Sequence, residues 1–297
     1  MTRRYETAAA FKTALEERLR SAAASDGVEL ARLRQLLVFE RFLARVLSKT
    51  PRSTLVKGGF ALELRLERAR TTKDVDLRMD RTRGGLLDRL QDAGRMDLED
   101  WLTFEVTQDA RQPEILADGL DYGGGRFRVQ ARLAGRPYAG RFGLDLAIGE
   151  PRIGRSDEIE GSDMLRFIGI ERAVFRVVPI EVHIAEKLHA YTLPRTRPNS
   201  RVKDLPDMAL LSTAQTIAAS ALRAATKATF ANRGTHEVPS AVPAPSDNWA
   251  KPYERMARID SLPWASLGEV TAVVQEFLDP LLAGATGTWQ PRSRQWR

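Results

Sequence analysis

The chain lacks cysteine entirely and has only three histidines among its 297 residues. Without cysteine it can form neither disulfide bonds nor thiolate metal sites. A three-histidine zinc site would need His183, His189 and His236 together, but His236 falls in a proline-rich stretch. His183 and His189 lie six residues apart on a helix and do not share one face, so we expect both to be packing or surface residues. A bound metal is therefore expected to use carboxylate oxygens, which favours a hard ion such as Mg²⁺.

Long apolar runs are also missing, since no run approaches the roughly 20 residues needed to cross a bilayer. The N-terminal segment MTRRYETAAAFKTALEERLR is interrupted by Glu16 and Glu17, which is typical of an amphipathic helix and not of a secretory signal. We therefore expect a cytoplasmic protein that does not associate with membranes. Its length suits one large domain or two modest ones.

Lysine is scarce as well, because 38 of the 46 basic residues are arginine. The net charge is +7, and a basic surplus favours an anionic partner, of which nucleic acid is the commonest. The arginine excess can equally follow from codon composition. The charge alone therefore does not assign a partner.

Hydrophobic periodicity predicts an α+β protein with a mixed front half and a mostly helical back half. We expect a first domain over residues 1–178 and a helical second domain over 179–297, which would contribute Lys187 and Asp204. Gly123–Gly125 are expected to form a turn, and Gly234–Pro252 a long loop. Strands are predicted at Ser53–Lys57, Lys73–Met79, Leu102–Thr107, Arg126–Leu133 and Tyr138–Ile148. Helices are predicted at Thr7–Arg20, Gly27–Leu47, Phe60–Ala69, Gly85–Trp101, Ile180–Leu193, Leu205–Leu211, Ala214–Asn232 and Ser266–Leu282.

Two acids, Asp74 and Asp76, stand one residue apart in an apolar strand. Residues i and i+2 of a strand point to the same face, so the two carboxylates lie side by side and repel each other. A divalent cation would remove that repulsion, and Mg²⁺ often takes one or two carboxylates together with substrate phosphates. The alternative for any Asp-x-Asp pattern is a solvated strand face.

Gly58-Gly59 follows a strand and opens a helix. Glycine lets backbone amides approach a phosphate, and a helix N-terminus favours an anion. A tight turn that needs positive φ would explain the glycines equally well. A phosphate cradle here would lie close to the two acids along the chain.

Asp145 stands between Leu144 and Leu146 in another apolar strand. Beside Asp74 and Asp76 it would complete a three-carboxylate cluster able to hold two metals. Its alternative is an ion pair with an arginine such as Arg141 or Arg128, and spacing does not separate the two.

A second group of charged residues lies further along the chain. Lys187 sits within a helix, where it could neutralise charge on departing phosphates. Asp204 is either an N-cap or a residue that orients Lys187 or an arginine, or acts as a base, and it shares a helix face with Asp207. Glu186 is expected to be a surface or pairing charge. Arg195, Arg197, Arg201 and Lys203 suit phosphate contacts to a nucleotide or nucleic acid, although a solvated basic loop is the alternative.

Two segments resemble the signatures of the AbiEii/AbiGii-type nucleotidyltransferase toxins, which include the MenT toxins. KGGFALELRLERARTTKDVDL is similar to the first signature, and EVHIAEKLHAY followed by RVKDLPDM is similar to the second. The resemblance implies a DNA polymerase β-like nucleotidyltransferase core, Mg²⁺ and NTP as cofactor and substrate, and a separately encoded antitoxin. It also implies nucleotide transfer to the 3′ acceptor end of tRNA, known in some members.

The resemblance also implies roles for particular residues. Gly58, Gly59, Asp74 and Asp76 match the first signature, and Lys187 and Asp204 match the second. Asp145 fits the third metal-ligand position less distinctively, while Arg65 and Arg70 occupy matching places that suit a nucleotide contact. The family often has serine where this chain has Gly59, and we expect little consequence because the contact is mainly with the backbone.

The leading hypothesis is thus a toxin that transfers nucleotides from NTP to RNA, at the tRNA 3′ end, and so blocks translation. A second hypothesis keeps the fold but makes a protein hydroxyl the acceptor of a nucleotidyl or phosphoryl group, for instance on a cognate antitoxin. A third is a non-catalytic nucleic-acid-binding or partner-binding module.

Overall fold

The computed structural model describes residues 4–50, 53–66, 69–80, 85–115, 123–194 and 201–297. The helices are α1 (Ala8–Asp26), α2 (Leu30–Lys49), α3 (Gly58–Arg65), α4 (Leu86–Arg95), α5 (Ile180–Thr192), α6 (Asp204–Ala214), α7 (Ala219–Arg233), α8 (Ala250–Ile259) and α9 (Leu267–Leu282). The strands are β1 (Thr54–Lys57), β2 (Asp74–Met79), β3 (Leu102–Gln108), β4 (Gly123–Leu133), β5 (Arg136–Pro137), β6 (Phe142–Ile148), β7 (Asp157–Glu160), β8 (Val174–Val177), β9 (Ile217–Ala218), β10 (Thr288–Gln290) and β11 (Gln295–Trp296).

A mixed sheet organises the front half, in the order β3-β4-β6-β2-β1-β8-β7, with β5 paired to β4. The strand β2 is flanked by β1, which runs antiparallel to it, and by β6, which runs parallel. This mixed sheet with flanking helices confirms the predicted α+β class.

The two faces of this sheet differ in chemistry. On β2, Val75, Leu77 and Met79 point into the core, whereas Asp74 and Asp76 point to the opposite side. The core side is covered by helices, and the ring of Phe39 on α2 packs edge-on against rings from α3 and β6. We call the opposite side the polar face, defined by Asp74, Asp76 and the residues of neighbouring strands in register with them.

The back half has its own hydrophobic cluster, built mainly from residues between Ile180 and Trp289, while the first cluster runs from Phe11 to Val178. Along the chain, residues of the first cluster give way to residues of the second near residue 178, which is the predicted domain boundary. The division into two domains remains a prediction, because Leu62 and Ala69 of the front half pack in the second cluster. Of the helices in the described parts of the chain, none combines the length and apolar composition that a bilayer crossing requires.

Several element boundaries differ from the prediction. Gly123–Gly125 belong to β4 instead of a turn, since they pair in register with the end of β6. Glycine is needed at position 124 because a Cβ there would collide with the carbonyl oxygen of Leu146 on β6. The helix α3 ends at Arg65 and not at Ala69. The strand β7 was not predicted, since its sequence DEIE contains one apolar residue and no amphipathic alternation long enough to recognise.

Candidate active site

The three aspartates predicted as metal ligands lie on the polar face. Asp76 of β2 is in register with Asp145 of β6, and Asp74 is in register with Gly143. Residues in register on neighbouring strands point to the same face, about 5 Å apart. The sheet therefore brings together three carboxylates that are as many as 71 positions apart in the sequence.

Two glycines make room for these carboxylates. Gly58 has φ +66°, and a Cβ there would overlap the carboxylate of Asp76. A Cβ on Gly143 would likewise overlap the carboxylate of Asp74. The turn that opens α3 thus faces the acids, as the hypothesis of a phosphate cradle beside them requires.

Gly59 has a constraint that the sequence did not reveal. A Cβ at this position would lie 2.6 Å from Oγ1 of Thr72, which is itself buried. The serine that is common in the family would therefore displace Thr72 in this chain. The expectation that the residue type at position 59 matters little for a backbone contact with phosphate stays a prediction, since the packing concerns the side chain of Thr72.

Asp145 is held by an arginine as well as facing the acids. Nε of Arg126, on β4, lies 3.2 Å from Oδ2 of Asp145. The ion-pair alternative is thus realised with Arg126 and not with Arg128 or Arg141. Burial and the negative charge of Asp76 nevertheless raise the pKa of Asp145, with a smaller contribution from Asp74. The carboxylate therefore lies within the field of the other two acids.

The donor chemistry of this group fits a hard divalent ion, since every candidate ligand is a carboxylate oxygen. Within the described residues, no three acidic or histidine side chains are placed closely enough to hold a metal as they stand. Of the three aspartates on the polar face, Asp145 pairs with Arg126, and no ion pair with an arginine is seen for Asp74 or Asp76 among the described residues. They could hold a cation directly, and Asp145 could join them only by loosening its contact with Arg126.

Lys187 lies in a second, buried cluster. Its Nζ is 2.6 Å from Oδ2 of Asp207 and 3.5 Å from Oδ1 of Asp204. Asp207 also accepts two hydrogen bonds from Arg70, at 2.6 and 2.9 Å. Burial opposes ionisation of Asp207, but Lys187 and Arg70 hold its pKa below the ordinary value. Lys187 keeps its charge, because Asp207 and Asp204 raise its pKa against the effect of burial.

Asp204 is fully buried and is the first residue of α6. The N-cap of α6 is Lys203, which makes no side-chain cap, so Asp204 is not the N-cap residue. Asp204 contacts Lys187, which agrees with a residue that orients Lys187. Burial raises the pKa of Asp204. Asp207 is the nearer partner of Lys187, and sequence reasoning missed that role although it noted that Asp204 and Asp207 share a helix face.

The segment before β2 links the two clusters along the chain. Arg70 anchors it to Asp207, and four residues later the chain reaches Asp74. In between, the backbone N–H of Thr72 donates to Glu63 at 2.9 Å, and its hydroxyl donates to the carbonyl oxygen of Asp74 at 3.1 Å. The position of the acid pair therefore depends on the buried ion pairs of the second cluster.

A third charge cluster surrounds Lys57, the residue before Gly58. Nζ of Lys57 lies 2.6 Å from Glu150 and 3.8 Å from Glu186, and Arg233 also contacts Glu150, at 2.6 Å. Glu186 is thus a pairing charge, as expected. Sequence reasoning missed this cluster, since nothing local connects Lys57 with Glu150, 93 residues later.

The remaining predicted contacts are distributed as follows. Arg65 is buried and donates to Asp157 at 2.6 Å, so a nucleotide contact would have to replace that bond. Arg201 contacts Asp204 at 3.7 Å, and burial lowers the pKa of Lys203. Arg195 and Arg197 lie outside the described residues.

The histidines are packing residues in the described structure. His189 packs against Phe230 and His236, with ring centroids 4.9 and 4.7 Å away. His183 is fully buried, and neither of its ring nitrogens has a hydrogen-bond partner in the described part of the chain. Burial and then the charge of Lys187 lower the pKa of His183 well below its usual value.

Comparison with protein families matches residues 41–274 to the family described as nucleotidyl transferase AbiEii toxin, type IV toxin–antitoxin system. Among solved structures, MenT4, the nucleotidyltransferase toxin Rv2826c from Mycobacterium tuberculosis H37Rv, is 16% identical, has a TM-score of 0.59 and aligns over 90% of each chain. JHP933 from Helicobacter pylori is also 16% identical, with a TM-score of 0.43, over 84% of this chain and 90% of its own. No curated protein matches the sequence. The likeness to MenT4 shows a shared fold.

Proposed function

The chain belongs to the AbiEii family of nucleotidyl transferase toxins of type IV toxin–antitoxin systems, and from this premise we propose that it uses Mg²⁺ and NTP to add nucleotides to RNA. The proposed acceptor is the 3′ end of tRNA, where added nucleotides would block aminoacylation and hence translation. As a family member, the chain is a nucleotidyltransferase whose toxicity an antitoxin partner would control.

One observation carries the proposal: the turn at Gly58 faces Asp76, which lies in register with Asp145 on the next strand. Asp74 and Asp76 would hold the metal, with Asp145 as a third ligand. Bound there, a divalent cation lowers the pKa of an attacking hydroxyl and stabilises a leaving pyrophosphate. The arrangement suits a reaction between a triphosphate and a hydroxyl group.

The chain's own groups would bind and orient the substrates. Backbone N–H groups of Gly58 and Gly59 open α3 and favour an anion such as the triphosphate. Lys187, kept positively charged by Asp207 and Asp204, is proposed to offset charge on the departing phosphates. Asp204 would act by orienting Lys187. Arg65 is proposed to contact the nucleotide, while Arg195, Arg197, Arg201 and Lys203 are proposed to contact the acceptor.

The test is transfer of label from each α-labelled NTP to total RNA, with sequencing of tRNA 3′ ends. Asp74→Asn combined with Asp76→Asn should reduce labelling at least 100-fold, because the proposed metal ligands are lost. Glu158→Gln combined with Glu160→Gln is a matched control, since these acids have the same one-apart spacing on a strand but lie on β7, at the sheet edge.

Equal labelling by the wild type and the double asparagine variant would refute the proposed centre. Label found on a co-expressed antitoxin and absent from RNA, detected by mass spectrometry, would replace the RNA acceptor with a protein hydroxyl while retaining the same centre.

A further inference from the structure

Next to the acids, β4 carries a row of arginines on the polar face. Burial alternates along the strand, so Arg126, Arg128 and Arg132 point outward while Phe127 and Val129 between them point into the core. Their side chains are 34, 48 and 37% exposed. The outward residues of the adjacent strand β3 are exposed as well, so this end of the polar face is open to solvent.

The arginine row begins at the acid cluster. Arg126 contacts Asp145, and Arg128 is in register with Gly143, which is in register with Asp74 on its other side. A Cβ on Gly143 would lie 3.7 Å from Nη1 of Arg128 as well as overlapping the carboxylate of Asp74. Glycine at this position thus lets a guanidinium and a proposed metal ligand share the space above β6.

The present partners of Arg132 and Arg128 differ in how much their release costs. Arg132 pairs with Glu105 at 2.5 Å, and both side chains are exposed. Arg128 pairs at 2.7 Å with Asp109, whose side chain is only 11% exposed. Exposed ion pairs contribute about 0–1 kcal/mol. Oδ1 of Asp109 accepts backbone hydrogen bonds from Arg111 and Gln112, so this oxygen keeps its partners when Arg128 releases Oδ2.

We propose that Arg126, Arg128 and Arg132 bind the phosphates of the acceptor RNA and guide its 3′ end to the acids. Residues two apart on a strand are about 7 Å apart, so Arg126 to Arg132 span about 20 Å. The distance of about 7 Å between Arg126 and Arg128 is of the same order as the distance between neighbouring phosphates of one nucleic-acid strand. Guanidinium groups can also bind phosphate through two parallel hydrogen bonds. The triphosphate would then approach from the Gly58 side and the acceptor from the β4 side.

This inference rests on the proposed RNA acceptor and adds the surface that holds it. The outward positions of β4 from 126 to 132 repeat every two residues, with arginine at three of them and Gln130 at the fourth. Arginines at multiples of one repeat suit a polymer with repeating charges better than a folded protein surface. The contacts would be to the backbone, so they would set affinity and position without reading the base sequence.

The test measures binding of the full chain to unfractionated, end-labelled tRNA at several salt concentrations. Arg128→Ala combined with Arg132→Ala should weaken binding at least 10-fold and reduce the slope of log K against log salt by about 1–2. Affinity for a fluorescent NTP should stay within 2-fold of the wild type. Arg128→Lys combined with Arg132→Lys should recover most of the RNA affinity, because charge is retained.

The matched control is Arg172→Ala, which removes an arginine that is 46% exposed and paired with Asp163, beside the opposite edge strand β7. Binding unchanged between the double alanine variant and this control would overturn the inference, even where the wild type transfers nucleotides to RNA. Absence of transfer to RNA by the wild type would be a failure of the proposed function instead, and the two outcomes are measured separately.

Discussion

At the scale of single residues, Gly58 is constrained both by its backbone conformation and by its closeness to a proposed metal ligand. Its positive φ is unfavourable for a residue with a side chain, and the space that a Cβ would fill is taken by the carboxylate of Asp76. Two independent reasons therefore require glycine. Only the overlap with Asp76 concerns the proposed reaction. Gly27, which has a similar φ but no neighbouring atom, allows the effects of the positive φ and of the overlap to be measured separately.

Gly58→Ala should reduce nucleotidyl transfer at least 100-fold by displacing Asp76. The matched control is Gly27→Ala, at the end of α1, where φ is +65° and nothing lies within 4 Å of the added Cβ. Both variants carry the same backbone strain, about 1–2 kcal/mol, and Gly58→Ala should lose further stability in urea because its Cβ would overlap the carboxylate of Asp76. Gly27→Ala should keep full transfer, and equal activities of the two variants would contradict the role of Gly58.

At the scale of elements, α5 is held through two adjacent residues of opposite charge. Glu186 lies toward Lys57, and Lys187 lies toward Asp207 and Asp204 on α6. Breaking a buried ion pair is costly, because one charge is left without its partner in a poorly solvated site. We infer that these pairs fix the orientation of α5 and, through Arg70, the start of β2.

Asp207→Asn should lower the free energy of unfolding by about 3–5 kcal/mol, because Lys187 and Arg70 lose the negative charge that they share. Urea unfolding monitored by circular dichroism measures this. The control is Asp92→Asn, which breaks an ion pair with Arg95 whose side chains are 71 and 67% exposed. That variant should unfold at the wild-type urea concentration, and an equally small effect of Asp207→Asn would show that the buried cluster contributes little.

At the scale of the whole molecule, the front and back halves share buried charges and buried apolar side chains. Leu62 of α3 is fully buried in the second hydrophobic cluster, and Arg70 pairs with α6. His183 lies in the same region, among Lys187, Arg65, Arg70 and Asp207. A positive charge on this histidine would be opposed by Lys187, Arg65 and Arg70 and favoured by Asp207.

The stability of the chain should therefore depend on the protonation of His183. Its pKa is lowered in the folded state, so the unfolded chain binds the extra proton first, and stability falls as pH drops below about 6.5. This contribution is fully present above pH 6.5 and decreases by up to about 1.4 kcal/mol per pH unit below it. His183→Met should lose less stability than the wild type between pH 7.5 and 5.5 in urea titrations. Equal losses would rule out this source of acid sensitivity.

Local sequence was sufficient to predict the parts of the site that depend on local geometry. Asp74 and Asp76 share a face because side chains alternate along any strand, and Gly58-Gly59 opens a helix because the chain turns there. The helix that carries Lys187 and the mixed character of the front half follow from periodicity in the same way. These predictions needed only the spacing of neighbouring residues.

The pairing of distant residues was decided by the tertiary structure alone. The registers of β4, β6 and β2 determine that Asp145 meets Arg126 and Asp76 instead of Arg128 or Arg141, and helix packing determines that Lys187 meets Asp207. The same registers place Arg128 beside Asp74 across Gly143. The sequence determines the chemistry of each residue, but its partners depend on strand order and helix packing. Strand order and helix packing follow from the burial of apolar side chains across the whole chain, and they leave no local pattern in the sequence.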